Sequence, residues 1–131
     1  MRVTDRELIN MASAAKEHSY SPYSRFPVGA AVEAADGSVY TGCNVENSAF
    51  GATLCAEAVA LTAAVAAGHR KFRRIAIISD GINYCVPCGT CRQMLCEFSP
   101  EIEVLASRAD GRYVSYPLAE LLPRAFGKEQ F

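Results

Sequence analysis

The sequence predicts an α/β fold: a three-layer αβα sandwich around one mixed five-stranded sheet, with helices on both faces. Short apolar segments recur beside turn signals, among them Asp36-Gly37, Asp80-Gly81 and Asp110-Gly111. The stretch Leu54 to Ala67 is rich in alanine, valine and leucine on every face. A helix apolar all round is a buried one, here expected between the sheet and neighbouring subunits. The elements run in the order αββαβαββα, and interleaved strands and helices of this kind close into layers on one sheet.

Thr4-Asp5-Arg6-Glu7 fits a capping box, and Leu8, Met11, Ala12 and Ala15 follow at helical spacing, predicting a first helix to about His18. Tyr20-Ser21-Pro22-Tyr23 breaks it. Phe26 to Ala34 and Val39 to Cys43 read as two strands of a hairpin turning at Asp36-Gly37. Gly68 stands where the second helix should stop. Ile75 to Ser79 reads as a buried strand and Gly89 to Phe98 as the third helix. Ile102 to Ala106 and Tyr113 to Tyr116 are the last strands, and Pro117 to Leu122 a short closing helix.

A chain of 131 residues is expected to be a single domain, 1-131, able to bury roughly two-thirds of its unfolded surface without disulfide staples. The formal charge of -1 and the absence of a basic face argue against nucleic acid as a partner. No apolar run approaches the about 18 residues of a membrane span, and the start at Met1-Arg2-Val3-Thr4-Asp5 has no secretory core. Six cysteines in such a chain suggest thiols and metal ligands, and a cytoplasmic location is expected.

Cys55-Ala56-Glu57 and Pro87-Cys88-Gly89-Thr90-Cys91 carry the chemistry. Cys55 opens the second predicted helix, while Cys88 and Cys91 open the third, one turn apart. Unpaired amides at a helix start favour thiolate over thiol, so two such starts can face one ion. Three thiolates leave a fourth position free, as in a catalytic zinc site and unlike a closed structural one. Glu57 can stand beside the ion without binding it and move a proton between water and a ring nitrogen. Cys43, Cys85 and Cys96 fit no partner pattern and read as small core residues. Cys85, Cys88, Cys91 and Cys96 miss the iron–sulfur spacing, with four residues before the last cysteine and no proline after it. A redox pair at Cys88 and Cys91 would leave Cys55-Ala56-Glu57 without a purpose.

With these residues in view, the chain resembles the small, homotetrameric cytidine deaminases over nearly its whole length, and the paired zinc motifs are those of zinc-dependent base deaminases. Tyr23-Ser24-Arg25-Phe26-Pro27-Val28-Gly29-Ala30-Ala31 is similar to the family's N-terminal stretch, and Gly42-Cys43-Asn44-Val45-Glu46-Asn47 to its ribose-binding segment. Pro87 to Gln93 matches its second zinc motif, and Leu121-Leu122-Pro123-Arg124-Ala125-Phe126 its C-terminal signature. The resemblance implies hydrolytic deamination of a small-molecule pyrimidine nucleoside, cytidine or 2′-deoxycytidine, in pyrimidine salvage. It implies one Zn2+ per chain on Cys55, Cys88 and Cys91, with Glu57 shuttling protons. Asn44 and Glu46 would bind ribose hydroxyls, Phe26 would pack on the pyrimidine, and the Ala56 backbone would hydrogen-bond the base. Phe126 would reach into a neighbouring subunit's site, so that a homotetramer completes each centre.

Two positions depart from the family's pattern: Ala58, where arginine commonly follows the catalytic glutamate, and Phe50, where tyrosine is frequent. With the arginine missing, the helix starts and Arg92 are the expected offset for the thiolate charge. A deaminase for a cytosine-containing antibiotic of the blasticidin type stays open, because its zinc motifs look alike and also lack that arginine. A non-catalytic metal-stabilised protein is the third reading, and Glu57 argues against it.

Overall fold

The computed structural model describes residues 2–131. Thr4 caps the first helix, α1 (Asp5–Lys16): its hydroxyl accepts from the Glu7 N–H, and the Glu7 carboxylate accepts from the Thr4 N–H. These reciprocal bonds are the expected capping box. The helix ends at Lys16, before His18, because the chain turns to bring Tyr20 alongside Asn44 and Glu46.

Strands β1 (Val28–Ala34) and β2 (Val39–Cys43) form the hairpin, with Gly37 at φ 93° in the turn. Helix α2 (Ala56–Ala66), strand β3 (Phe72–Ser79), helix α3 (Gly89–Phe98), strands β4 (Glu103–Ser107) and β5 (Tyr113–Pro117), and the single-turn α4 (Leu118–Leu121) follow. The five strands lie in the order β2-β1-β3-β4-β5, with β3 and β4 parallel and the other pairs antiparallel. This is the expected mixed sheet. Side chains alternate between its faces. Leu8, Ile9 and Ala12 of α1 pack on Ala31, Ala76, Ile78 and Leu105. On the other face, Ala60 and Leu61 of α2, Leu95 of α3 and Leu118 of α4 pack on Ala30, Val32, Ile75, Ile77 and Val104. The three layers are as expected.

Strand boundaries differ from the sequence expectation: β4 spans Glu103–Ser107 where Ile102 to Ala106 was expected, β5 runs on to Pro117 past Tyr116, and the starts of β1 and β3 shift for identifiable reasons. β1 begins at Val28, not Phe26, since Pro27 has no N–H for a ladder and the Phe26 carbonyl is taken by Asn44. β3 begins at Phe72, ahead of Ile75, because Arg73 and Arg74 break the apolar pattern of its first residues. The Arg74 guanidinium donates to Glu33 at 2.8 Å and to Asp5 at 2.6 Å. Burial alone would push the fully buried Glu33 carboxyl up, but hydrogen bonding and charge from Arg74, then from Arg2, hold it below the ordinary carboxylate range.

Gly42 sets the distance between β2 and the helix that carries the site. A Cβ there would lie 2.5 Å from the Ala60 nitrogen and 2.7 Å from the Ala56 carbonyl oxygen. Only glycine admits so close an approach of strand to helix backbone. Gly42→Ala is expected to cost about 1–3 kcal/mol, read as a lower denaturant midpoint at constant slope. An unchanged midpoint would mean that α2 can move off β2 freely.

Candidate active site

The two helix starts meet as the sequence predicts. Cys55 is the N-cap of α2 and Cys88 the N-cap of α3, both with extended backbone, and Cys91 lies in the first turn of α3. The three sulfurs lie within 4.8 Å of one another, with Cys55 and Cys88 at 3.7 Å. Four ligands at about 2.3 Å in a tetrahedron place neighbouring sulfurs about 3.8 Å apart, so the donor set fits zinc in size and chemistry. Among the described residues, no fourth His, Cys, Asp or Glu joins this group.

Electrostatics also favours a cation here. Two anions about 4 Å apart repel by roughly 4 kcal/mol at the effective dielectric of a protein surface, so three thiolates cannot coexist unaided. Without a cation the sulfurs compete for protons: hydrogen bonding from Cys91 lowers the Cys55 thiol to about 6, while the same contact pushes Cys91 strongly up. Glu57, in the first turn of α2, is buried beside them. Desolvation first, and then the Cys55 charge, raise its carboxyl to about 7.

A cleft of about 290 Å³ runs up to this group, lined by Phe26, Asn44, Glu46, Leu54, Cys55, Ala56, Glu57 and Cys88, among others. It therefore unites nearly all the residues singled out from the sequence. The Asn44 side chain holds the segment that carries Phe26: its Nδ2 donates to the Phe26 carbonyl at 2.9 Å and its Oδ1 accepts from the Val28 N–H at 2.9 Å. Glu46 is buried and accepts from the Tyr23 and Ser24 N–H groups at 2.9 and 3.0 Å, and from the Ser24 hydroxyl. Phe26 remains 46% exposed, its ring open to the cleft. Sequence reasoning missed Ser24, Thr53, Cys85 and Val86 as lining residues. Ser24 lies inside a recognised motif, which was the available signal. Cys85, taken for a core residue, touches both core and cleft. Its thiol is pushed up to about 11, by burial and then by the Glu57 charge.

Phe126 is not in this cleft. It is 60% exposed, stacks edge-on against Phe131 at 5.6 Å, and lines a separate cavity of about 340 Å³ between α3, α4 and the C-terminal segment. That cavity is the larger one, but it contains none of the three grouped sulfurs. Phe50 is 75% exposed and packs edge-on against Tyr23 at 6.0 Å. Arg92 donates to the carbonyls of Pro87 at 2.7 Å and Leu121 at 2.8 Å, tying the loop before Cys88 to the end of α4.

A layered α/β fold with a metal-sized sulfur triad at the head of a base-sized cleft defines the class. The family model described as "Cytidine and deoxycytidylate deaminase zinc-binding region" matches residues 2–106. The chain is 44% identical over 124 residues to a cytidine deaminase of Sporosarcina psychrophila, covering 94% of this chain and 91% of that one. The crystal structure of a cytidine deaminase from Burkholderia pseudomallei superposes with a TM-score of 0.91 at 43% identity, over 95% of this chain and all of that one. A blasticidin-S deaminase of Bacillus cereus is 29% identical, over 91% of this chain and 89% of its own length. The chain belongs to the cytidine and deoxycytidylate deaminase family, and it is an enzyme.

The Asn44 bonds have a measurable consequence for the fold. Asn44→Ala orphans the Val28 N–H and the Phe26 carbonyl and is expected to cost about 1–3 kcal/mol in chemical denaturation. Asn44→Asp keeps the acceptor and should lose less. A loss for the alanine variant below about 0.5 kcal/mol would mean that these bonds do not hold the segment.

Proposed function

We propose that this enzyme hydrolyses the exocyclic amine of free cytidine and 2′-deoxycytidine, giving uridine or 2′-deoxyuridine and ammonia. One observation carries the reading: a cluster of three sulfurs, two of whose cysteines line the cleft, stands with a buried carboxylate at a cleft that also holds an open aromatic face, an amide and a second carboxylate. Cys55, Cys88 and Cys91 would hold one Zn2+ per chain. Zinc bound there supplies Lewis acidity that brings the pKa of water from 15.7 towards about 7.

The chain's own groups do the rest. Glu57 accepts the proton from the attacking water, delivers it to the ring nitrogen, and then serves the departing amine. Its burial supports that role, because a desolvated carboxyl holds a proton more readily than a free one and can both take and give it. Phe26 covers the face of the pyrimidine, and the Ala56 backbone hydrogen-bonds the base. Asn44 and Glu46 receive the sugar, each with little hydrogen-bonding capacity to spare beyond its internal bonds. Blasticidin S is the weaker substrate reading, supported by Ala58 alone and by a relative of lower identity.

The 131 residues would act as one domain within a homotetramer. Apolar side chains left exposed on this chain support the assembly: Tyr20, Phe50, Leu54 and Ile82 near the cleft side, and Phe126 on the far segment. Phe126 would enter a neighbour's site. No helix is long and apolar enough to cross a membrane. The enzyme would act in the cytoplasm, in pyrimidine salvage; the charge of -1 supports the reading that nucleic acid is not a partner.

Ultraviolet monitoring of cytidine, 2′-deoxycytidine and blasticidin S with purified protein tests the reading. Cytidine and its deoxy form should be consumed, and Glu57→Gln should slow this by about 10² to 10⁴ while the metal count per chain stays at one. Chelation should abolish turnover and added zinc restore it. Turnover that survives either change would sink the assignment.

A further inference from the structure

Two of the three hydrogen bonds that hold the Glu46 carboxylate come from Ser24, a residue to which the sequence alone assigns no role of its own. Ser24 donates both its N–H, to Oε1 at 3.0 Å, and its hydroxyl, to Oε2. The same hydroxyl oxygen accepts from the Phe26 N–H at 3.1 Å. Phe26 N–H, Ser24 hydroxyl and Glu46 Oε2 thus form a relay joining the aromatic face of the cleft to its carboxylate. Arg25, between the two, takes the left-handed backbone conformation at φ 56°, and its N–H bonds to the Ser21 carbonyl at 2.9 Å. A non-glycine residue held there costs free energy that the surrounding bonds must offset. The segment is curled around the carboxylate.

An ionised carboxylate offers about four lone-pair positions. Tyr23 N–H and Ser24 N–H fill those of Oε1, and the Ser24 hydroxyl fills one on Oε2. One position remains, on an oxygen that cannot turn, in a residue that lines the cleft. The Ser24 hydroxyl first, then its N–H and that of Tyr23, also hold the Glu46 carboxyl below the ordinary range, so it stays an acceptor.

We propose that Ser24 is a positioning residue for sugar recognition, aiming the last free acceptor site of Glu46 at a ligand hydroxyl. The inference rests on the nucleoside reading of the cleft. A fixed acceptor selects ligands carrying a hydroxyl donor at that point. A freely turning carboxylate meets water as readily and selects less.

Competitive inhibition by two product analogues separates this role from loop folding. Uridine carries the ribose hydroxyls; 2′,3′-dideoxyuridine presents the same base without the vicinal pair. In Ser24→Ala the uridine inhibition constant should rise roughly tenfold and that of the dideoxy compound less than about twofold, as expected for losing orientation of one charge-assisted bond. Ser24→Thr, which keeps the hydroxyl, should restore uridine binding. An equal loss for both ligands overturns the inference but leaves the nucleoside reading intact, since Ser24 would then only shape the loop. Failure of the unaltered protein to favour uridine over the dideoxy compound overturns both. Should the alanine variant not fold, Ser24→Cys keeps the size with a weak donor, and its ratio of the two constants should fall between serine and alanine. An unchanged ratio in a folded cysteine variant also overturns the inference.

Discussion

Sulfur crowded at two helix N-termini is the constraint on which the rest of this structure depends. Three cysteine sulfurs within 4.8 Å of one another cannot all ionise without a cation, and nothing in a core of alanine, valine and leucine could supply one. The layers of the fold serve that convergence. Helix α2 is pressed onto β2 at Gly42, and α3 starts after the loop that leaves β3. Both N-caps are cysteines whose side chains make no capping bond within the chain, so their sulfurs stay available to a ligand.

The other wall of the cleft is built on an opposite principle. There the polar groups are already paired with the backbone, and Asn44 and Glu46 brace residues 23–28 before any ligand arrives. A buried amide and a buried carboxylate each cost free energy unless bonded, so internal partners are required for the empty cleft to be stable. That bracing also fixes the few acceptor and donor positions left over. Preorganisation of this kind lowers the ordering cost of binding, which a loop of free polar residues would meet anew with each ligand.

The sequence exposed the site more fully than it exposed the fold's edges. Cys55, Glu57, Cys88 and Cys91 were legible as a group because a catalytic metal centre of the proposed kind would demand such residue types at helix starts, and those types are rare in combination. Phe26, Asn44 and Glu46 were legible only as a motif. Their internal bonds were not, because hydrogen bonds between residues some twenty positions apart leave no local periodicity. The first residues of β3 were hidden for a similar reason: Arg74 reads as a surface residue until the fully buried Glu33 is seen across the sheet. The short 3-10 turns at Phe50–Ala52 and Lys128–Gln130 were likewise invisible, being too brief to set a pattern.

Ala58 leaves the charge of the centre to be balanced without the usual arginine, and the structure narrows what can balance it. On the proposed reading, three thiolates and one zinc ion sum to a single negative charge. Arg92 lies beside Cys91 in sequence, but its guanidinium is spent on the Pro87 and Leu121 carbonyls, so its charge reaches the sulfurs only through space. Each helix N-terminus carries roughly half a positive charge, and two of them together offset about one negative charge. The sulfurs sit at both ends, Cys55 and Cys88 as N-caps and Cys91 within the first turn, where that partial charge is strongest. Backbone amides can therefore neutralise the centre without a side chain, and Arg92 instead secures the loop that brings one of those helix ends into position.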